Sequence, residues 1–356
     1  MSRARRRDRR VYLASHPILF GLVSATRIVP MIRLGRTVLV HAPEPYRQVL
    51  TRLPLDRTAA GTTGGAIRQA GGGGAWFDQQ GQEHRAARRR LAEDLSAAGV
   101  ARLRPVWRAV LDRRTAPLRH GDTVELVDLA TELAGVTVKA LLRLPEHVDA
   151  RALAEAAAQV GAAGVREHLP GRRRPGQAAQ AAAALRRLLG ESVSDPEGML
   201  AVAAVNTTVA GLPRAVAWCA DDQLWSAAAD PAQRAPLVNE LLRVVAPSPL
   251  LPRAAAADGT ITGKRVRAGD RLVLVARHAA DAHRHDPDPV DPQPPQVAQL
   301  VFGAGPHACP GAGLARAQLD DVLRTLAPYR PVVVRARAAR RSALPGWAEL
   351  EIRAAT

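Results

Sequence analysis

The chain has 356 residues, 47% of them hydrophobic and 3% aromatic, with 50 lysines plus arginines against 33 acidic residues and a net charge of +17. This length buries one large core or two smaller ones, and two cysteines exclude a disulfide framework and point to a reducing, cytoplasmic compartment. The charge is almost all arginine, which suits nucleic acid, an acidic protein partner or an anionic cofactor; the scarcity of aromatics and the lack of any nucleic-acid motif place nucleic acid last.

Residues 1–10, MSRARRRDRR, read as a disordered basic tail, and residues 11–356 as a single domain. His16 and Pro17 interrupt the apolar run behind the tail, which is too short to span a bilayer. An amphipathic helix is expected there instead, with no membrane contact. Met31–Ala42 reads as a hairpin turning at Gly35, and Thr58–Asp78 as a glycine-rich loop of the kind that borders functional sites. Apolar residues at helical spacing then predict helices over Gln82–Arg114, Thr123–Leu144, Ala150–Ala163, Met199–Ala229, Arg234–Pro247 and Gly311–Tyr329. Pro213 is expected to interrupt the fourth of these. Asp258–Arg277 reads as a small sheet, Asp281–Val297 as a proline-rich meander, and Pro331–Arg337 and Leu350–Ala354 as terminal strands. The fold class is therefore mainly α with small antiparallel β-sheets.

One of the two cysteines, Cys219, lies in an apolar helical pattern and reads as a small buried hydrophobe. The other, Cys309, sits in VFGAGPHACPG, confined by glycines and prolines. Three readings of this loop compete. Gly303, Gly305 and Ala308 match G-x-G-x-x-A behind the strand-like QVAQLVF, but Asp320 and Asp321 fall inside the next helix, and too little chain follows for a dinucleotide-binding sheet. The second reading is a rigid loop whose cysteine is simply buried. The third is a ligand loop for haem iron, for which a cysteine thiolate is a known proximal ligand. Glycines such as Gly303 and Gly311 let the backbone curl around the sulfur, and the helix that follows aims its positive end at it. A c-type haem is excluded because no C-x-x-C-H occurs.

FGAGPHACPG resembles the haem-binding signature of the cytochrome P450 family, F-G-x-G-x-H-x-C-x-G, with every fixed position present. Further matches stand in the family's order. ELLR supplies an E-x-x-R pair, Glu240 and Arg243; GQEHRAARRR places His84 and Arg88 as in the family's G-x-x-H-x-x-x-R helix; Arg253 stands where another propionate-binding arginine is found. The resemblance implies the P450 fold, with haem b buried between the proximal cysteine loop and a long distal helix. It implies Cys309 as iron ligand, Phe302 beside the thiolate, and His84, Arg88, Arg253 and His307 as propionate donors. It also implies a monooxygenase that activates dioxygen to oxidise a small organic substrate in bacterial specialised metabolism. The partners it implies are a ferredoxin-like or flavin electron donor and a small-molecule substrate, free or carrier-tethered, with the enzyme a monomer.

Three departures accompany the match. Where the family's distal helix has A-G-x-(D/E)-T, this chain has Ala203, Ala204, Val205, Asn206 and Thr207. The threonine is kept as the oxygen-side hydroxyl, but Asn206, as its relay partner, cannot exchange a proton at neutral pH. Pro294 replaces the arginine that usually completes a triad with the E-x-x-R pair, leaving Arg284 or His285 as substitutes. The roof region, about 145–199, is shortened. Two alternatives follow: a non-hydroxylating oxidation such as ring closure, coupling or peroxide-driven chemistry, and a haem-binding protein without turnover.

Overall fold

The computed structural model describes residues 1–62, 64–65, 78–79, 81–168, 176–191, 193–340 and 342–355. Most of the glycine-rich stretch expected at Thr58–Asp78 therefore lies outside the described residues, as does part of the roof region.

The helices are α1 (Arg3–Ser15), α2 (Pro17–Ala25), α3 (Pro43–Thr51), α4 (Gly81–Asp94), α5 (Ala97–Thr115), α6 (Leu126–Leu141) and α7 (Ala150–His168). Then follow α8 (Gln177–Leu189), α9 (Asp195–Asp221), α10 (Trp225–Ala229), α11 (Pro231–Val245), α12 (Ala276–Ala279), α13 (Pro295–Ala298) and α14 (Ala312–Leu326). Local chemistry sets several starts. Ser96 accepts from Gly99 N at 3.1 Å and Asp230 from Ala232 N at 2.9 Å, each satisfying an orphan amide of the first turn. At the head of α9, Glu197 reaches back to Ser194 N at 2.8 Å.

The strands among the described residues are β1 (Met31–Leu34), β2 (Thr37–Val40), β3 (Leu55–Asp56), β4 (Thr123–Glu125), β5 (Leu250–Ala255), β6 (Gly259–Ile261), β7 (Lys264–Val266), β8 (Arg271–Val275), β9 (Val332–Ala338) and β10 (Trp347–Arg353). They form a five-stranded sheet in the order β1-β2-β8-β5-β3, a three-stranded sheet β4-β10-β9, and the hairpin β6-β7. The hairpin at Gly35 forms as expected, with that glycine at φ 59°. The sheets are not all antiparallel: β2 and β8 run parallel, Thr37 opposite Arg271 and Val40 opposite Leu274. The segment read as strand-like, QVAQLVF, is instead α13 followed by a 3-10 turn over Gln299–Phe302.

Apolar residues gather in three clusters. The largest joins α5, α6, α9, α11 and α14 around Trp107, Trp218, Leu133 and Leu241. A second lies between the five-stranded sheet and α3, around Tyr46 and Leu272. A third packs α7 and α8 on α6 and α9, around Leu153 and Val205. Cys219 is fully buried in the first cluster.

Two expectations need correction. Residues 3–10 are not a disordered tail but the first turns of α1. Asp8, 3% exposed, accepts from Arg214 at 2.6 and 2.8 Å and from Arg277 at 2.7 Å, and both guanidiniums stack on Tyr12. A buried carboxylate held by two arginines over an aromatic ring fixes α1 to the core. Nor does Pro213 break α9, which continues to Asp221. The surrounding helices bury that stretch well enough to carry the lost backbone hydrogen bond.

Candidate functional site

α9, α11, the start of α14, α4 and the cysteine loop enclose a cavity of about 320 Å³. Much of its lining is apolar, with Leu95, Leu141, Leu212, Leu242, Val245 and Leu314 among the residues that face it. Thr207 and Thr208 look in from α9, and Arg57, His84, Arg88, Arg253 and His307 from one side.

The cysteine loop is built by its own backbone. Gly303 (φ 79°) and Gly305 (φ 71°) take left-handed conformations that favour glycine. A Cβ on Gly305 would also meet Leu50 O at 3.0 Å. Cys309 N donates to Phe302 O at 2.7 Å, closing the loop, and Gly311 begins α14 as its N-cap. A Cβ on Gly311 would stand 3.8 Å from Cys309 Sγ, in ordinary contact with the sulfur. The exposed surface of Cys309 faces the cavity it lines. Burial nevertheless pushes its pKa up, opposed by the Gly311 N–H and by Arg88 and Arg316. A thiol in such a place remains protonated until a metal takes the sulfur. Phe302 lies between the cavity and Arg316, whose guanidinium stacks on the ring at 4.8 Å and is tethered by Asn239 Oδ1 at 2.7 Å.

The cationic side is unusual. His84 and His307 stack with ring centroids 3.7 Å apart. Burial and the nearby arginines hold both below the ordinary histidine value, His307 down to about 3. Arg88 donates to Ala308 O at 2.8 Å, so it braces the cysteine loop as well as lining the cavity. Arg253 Nε is buried without a hydrogen-bond partner. Among the described residues, Arg57, Arg88 and Arg253 have no carboxylate partner. Buried guanidiniums left unpaired are costly, so this wall calls for an anion.

These features fit haem. The apolar slot suits a flat ring, the unpaired cations suit its two propionates, and the cavity-facing sulfur suits its iron. Cys309 would hold the iron, with Phe302, Gly303 and Gly311 shaping the sulfur's surroundings.

The E-x-x-R pair is the most buried ion pair of the site's frame. Arg243 donates to Glu240 at 2.8 and 2.6 Å, with side chains 0% and 1% exposed. The third arginine is replaced by backbone, not by the side chains named from sequence. Asp288 N and Gln293 N donate to Glu240, while Arg243 donates to the carbonyls of Ala280, His285 and Asp286. Among the described residues the Arg284 side chain bonds Asp281 and not Glu240, and His285 meets Arg243 through its carbonyl.

On the distal side the two predicted residues part. Thr207 lines the cavity, its Oγ1 donating to Ala203 O at 2.9 Å. Asn206 does not line it: its amide donates to Val202 O at 2.8 Å and to Ala157 O at 3.2 Å on α7, against Gly161. The relay role expected for Asn206 is thereby corrected to that of a tie between two helices. Arg57 and Arg316 are the residues that sequence reasoning missed. Arg316 lies in the quoted ARAQL and its proximity to Cys309 was readable; Arg57 had no local signal.

Comparison with known proteins follows the geometry. Residues 236–326 match the family model for cytochrome P450. A 20-oxo-5-O-mycaminosyltylactone 23-monooxygenase from Streptomyces fradiae is 39% identical over 100 residues, covering 26% of this chain and 24% of that protein. Cytochrome P450 105C1 from a Streptomyces species is 41% identical over 111 residues, 30% and 28% of the two chains. The match thus spans about a quarter of the length of these curated relatives. The solved structure of P450BioI with a hexadec-9Z-enoic acid-ligated acyl carrier protein superposes with a TM-score of 0.77 at 18% identity, covering 97% of this chain and all (100%) of that one. CalO2 gives 0.75 at 25% identity, covering 92% and 94%. The cysteine loop lies inside the segment that matches the family model, and the whole course of the chain follows the fold of these P450 structures.

Proposed function

We propose that the protein is a haem-thiolate monooxygenase that oxidises a small organic substrate in specialised metabolism, as a cytoplasmic monomer served by a ferredoxin-like or flavin donor. The observation that carries this is Cys309: a sulfur facing an apolar slot, beneath an N–H donor, beside guanidiniums that lack an anion. Bound there, haem b supplies reduction and cleavage of dioxygen. The chain's own contribution is to place the thiolate, shield it with Phe302, hold propionates with His84, Arg88, Arg253 and His307, and present the Thr207 hydroxyl opposite. The likeness to a carrier-protein complex and the shortened roof support a carrier-tethered substrate.

The test is the ferrous–CO spectrum of haem-loaded protein. Wild type is expected to show the Soret position of thiolate ligation and Cys309→Ala to lose it; an unchanged band in the variant sinks the assignment.

A second reading is favoured by one observation. No carboxylate lines the cavity beside Thr207 and Thr208 among the described residues. Oxidations that need little proton delivery, such as coupling, ring closure or peroxide-driven chemistry, suit such a site. Product formation with hydrogen peroxide at rates matching those with dioxygen and reductant would select this reading.

A further inference from the structure

β3 and β5 pair antiparallel, Leu55 opposite Ala255 and Asp56 opposite Ala254. Arg57 follows the last residue of β3 and Arg253 precedes Ala254 on β5, so the two arginines flank the end of this pairing, close enough for Arg253 to act on the Arg57 charge. Like charges held close repel, and burial strengthens the repulsion. Both arginines line the cavity, and Arg57 is 9% exposed. Its neighbour Asp56 does not neutralise it, because Asp56 Oδ1 accepts from Thr58 N at 2.8 Å, Thr58 Oγ1 at 2.9 Å and Ala59 N at 3.1 Å. The Arg57 guanidinium has no hydrogen-bond or ion-pair partner among the described residues. Arg253 has one, its own chain's Pro252 O at 2.8 Å, and its Nε has none. Burial and the nearby Arg253 pull the Arg57 pKa down to about 10, which still leaves it charged at neutral pH.

We propose that Arg57 and Arg253 form a clamp for a carboxylate in the cavity. Two guanidiniums at the end of one strand pair can each donate N–H groups to an oxygen of such a group, and an anion between them turns the repulsive pair into an attractive triad. Arg57 is the half of the clamp that no local motif announces. Two sources present this chemistry: a propionate of haem, in which case the inference rests on the haem reading, and an acid group on the substrate.

The experiment compares haem-loaded wild type, Arg57→Leu and Arg57→Lys by two readouts. One is the rate of haem transfer to apomyoglobin. The other is the spectral dissociation constant for dodecanoic acid against methyl dodecanoate. Loss of one charge-assisted contact is expected to shift one readout by about tenfold or more in the leucine variant, with lysine restoring part of it. Faster haem loss assigns the carboxylate to the propionate; an erased preference for acid over ester assigns it to the substrate. If both readouts stay at wild-type values, the clamp is wrong. Should the leucine variant fail to fold, Arg57→Lys, which keeps the charge but not the fork, carries the same comparison. The ferrous–CO band separates the two proposals. A thiolate band with both readouts unmoved overturns the clamp alone, whereas its absence in wild type overturns the haem-thiolate reading.

Discussion

Asn206 and Thr207 are neighbours in sequence that the helix turns toward different surroundings. The Asn206 amide supplies the hydrogens for two carbonyls, one on its own helix and one on α7. Asn206→Asp would place an oxygen against those carbonyls, leaving them without a donor or forcing the new carboxyl to stay protonated. We expect a loss of about 1–3 kcal/mol in urea unfolding and no gain in the fraction of reductant recovered as product. Thr207→Ala should do the reverse. Its hydroxyl only doubles a backbone acceptor already in the helix, so stability changes by less than about 0.5 kcal/mol, while the recovered fraction falls. The motif itself was legible in sequence. Which residue faces the cavity was not, because helix rotation is set by the contact of Asn206 with Gly161, outside any local pattern.

At the scale of elements, the meander shows how a missing side chain can be replaced. With Pro294 in the arginine's place, Glu240 takes its extra hydrogen bonds from the amides of Asp288 and Gln293. Restoring the family residue by Pro294→Arg should therefore not raise the melting temperature, since the carboxylate is already occupied. Arg243→Met removes the partner of a carboxylate that is 1% exposed. A cost of about 3–5 kcal/mol is expected, read as a lower melting temperature and earlier proteolysis within 281–294. Helices, the hairpin at Gly35 and the cysteine loop were readable because short-range chemistry determines them. The backbone substitutes for the arginine were not, since no residue type encodes an amide's direction.

For the molecule as a whole, buried neutral histidines set the response to acid. His41 and His278, 3% and 4% exposed, share a hydrogen bond at 2.9 Å between their Nδ1 atoms, and His283 packs beside His278. Burial holds His41 down to about 4 and, with Arg284 and Arg27 nearby, His283 down to about 3; His278 lies lower still. All three folded-state values lie below the unfolded value of about 6.5. Unfolding therefore takes up protons as the pH falls past that value. Stability is full above about pH 7 and declines toward pH 4, by up to about 1.4 kcal/mol per pH unit for each fully buried histidine. Urea midpoints at pH 7 and pH 5 measure this, and His278→Leu should flatten the slope. The stacked pair at the cavity behaves differently, because an anion bound beside His307 and His84 would raise their pKa values and weaken their share of the slope. The overall charge suggested an anionic cofactor before any fold was known, yet Arg57 could not be found that way. Its meaning depends on Arg253, which the pairing of β3 with β5 brings near it from the far half of the chain.

The parallel pairing of β2 with β8 has a consequence in time as well as in space. β1, β2 and β3 leave the ribosome early, but the strands that complete their sheet, β5 and β8, emerge only after α11. Such a sheet has high contact order, so its closure is among the last and slowest events of folding. Until then the segment carrying Arg57 exists without the strand carrying Arg253. A nascent chain arrested before residue 250 should therefore leave Val38, Leu39 and Val40 exposed on an open strand edge.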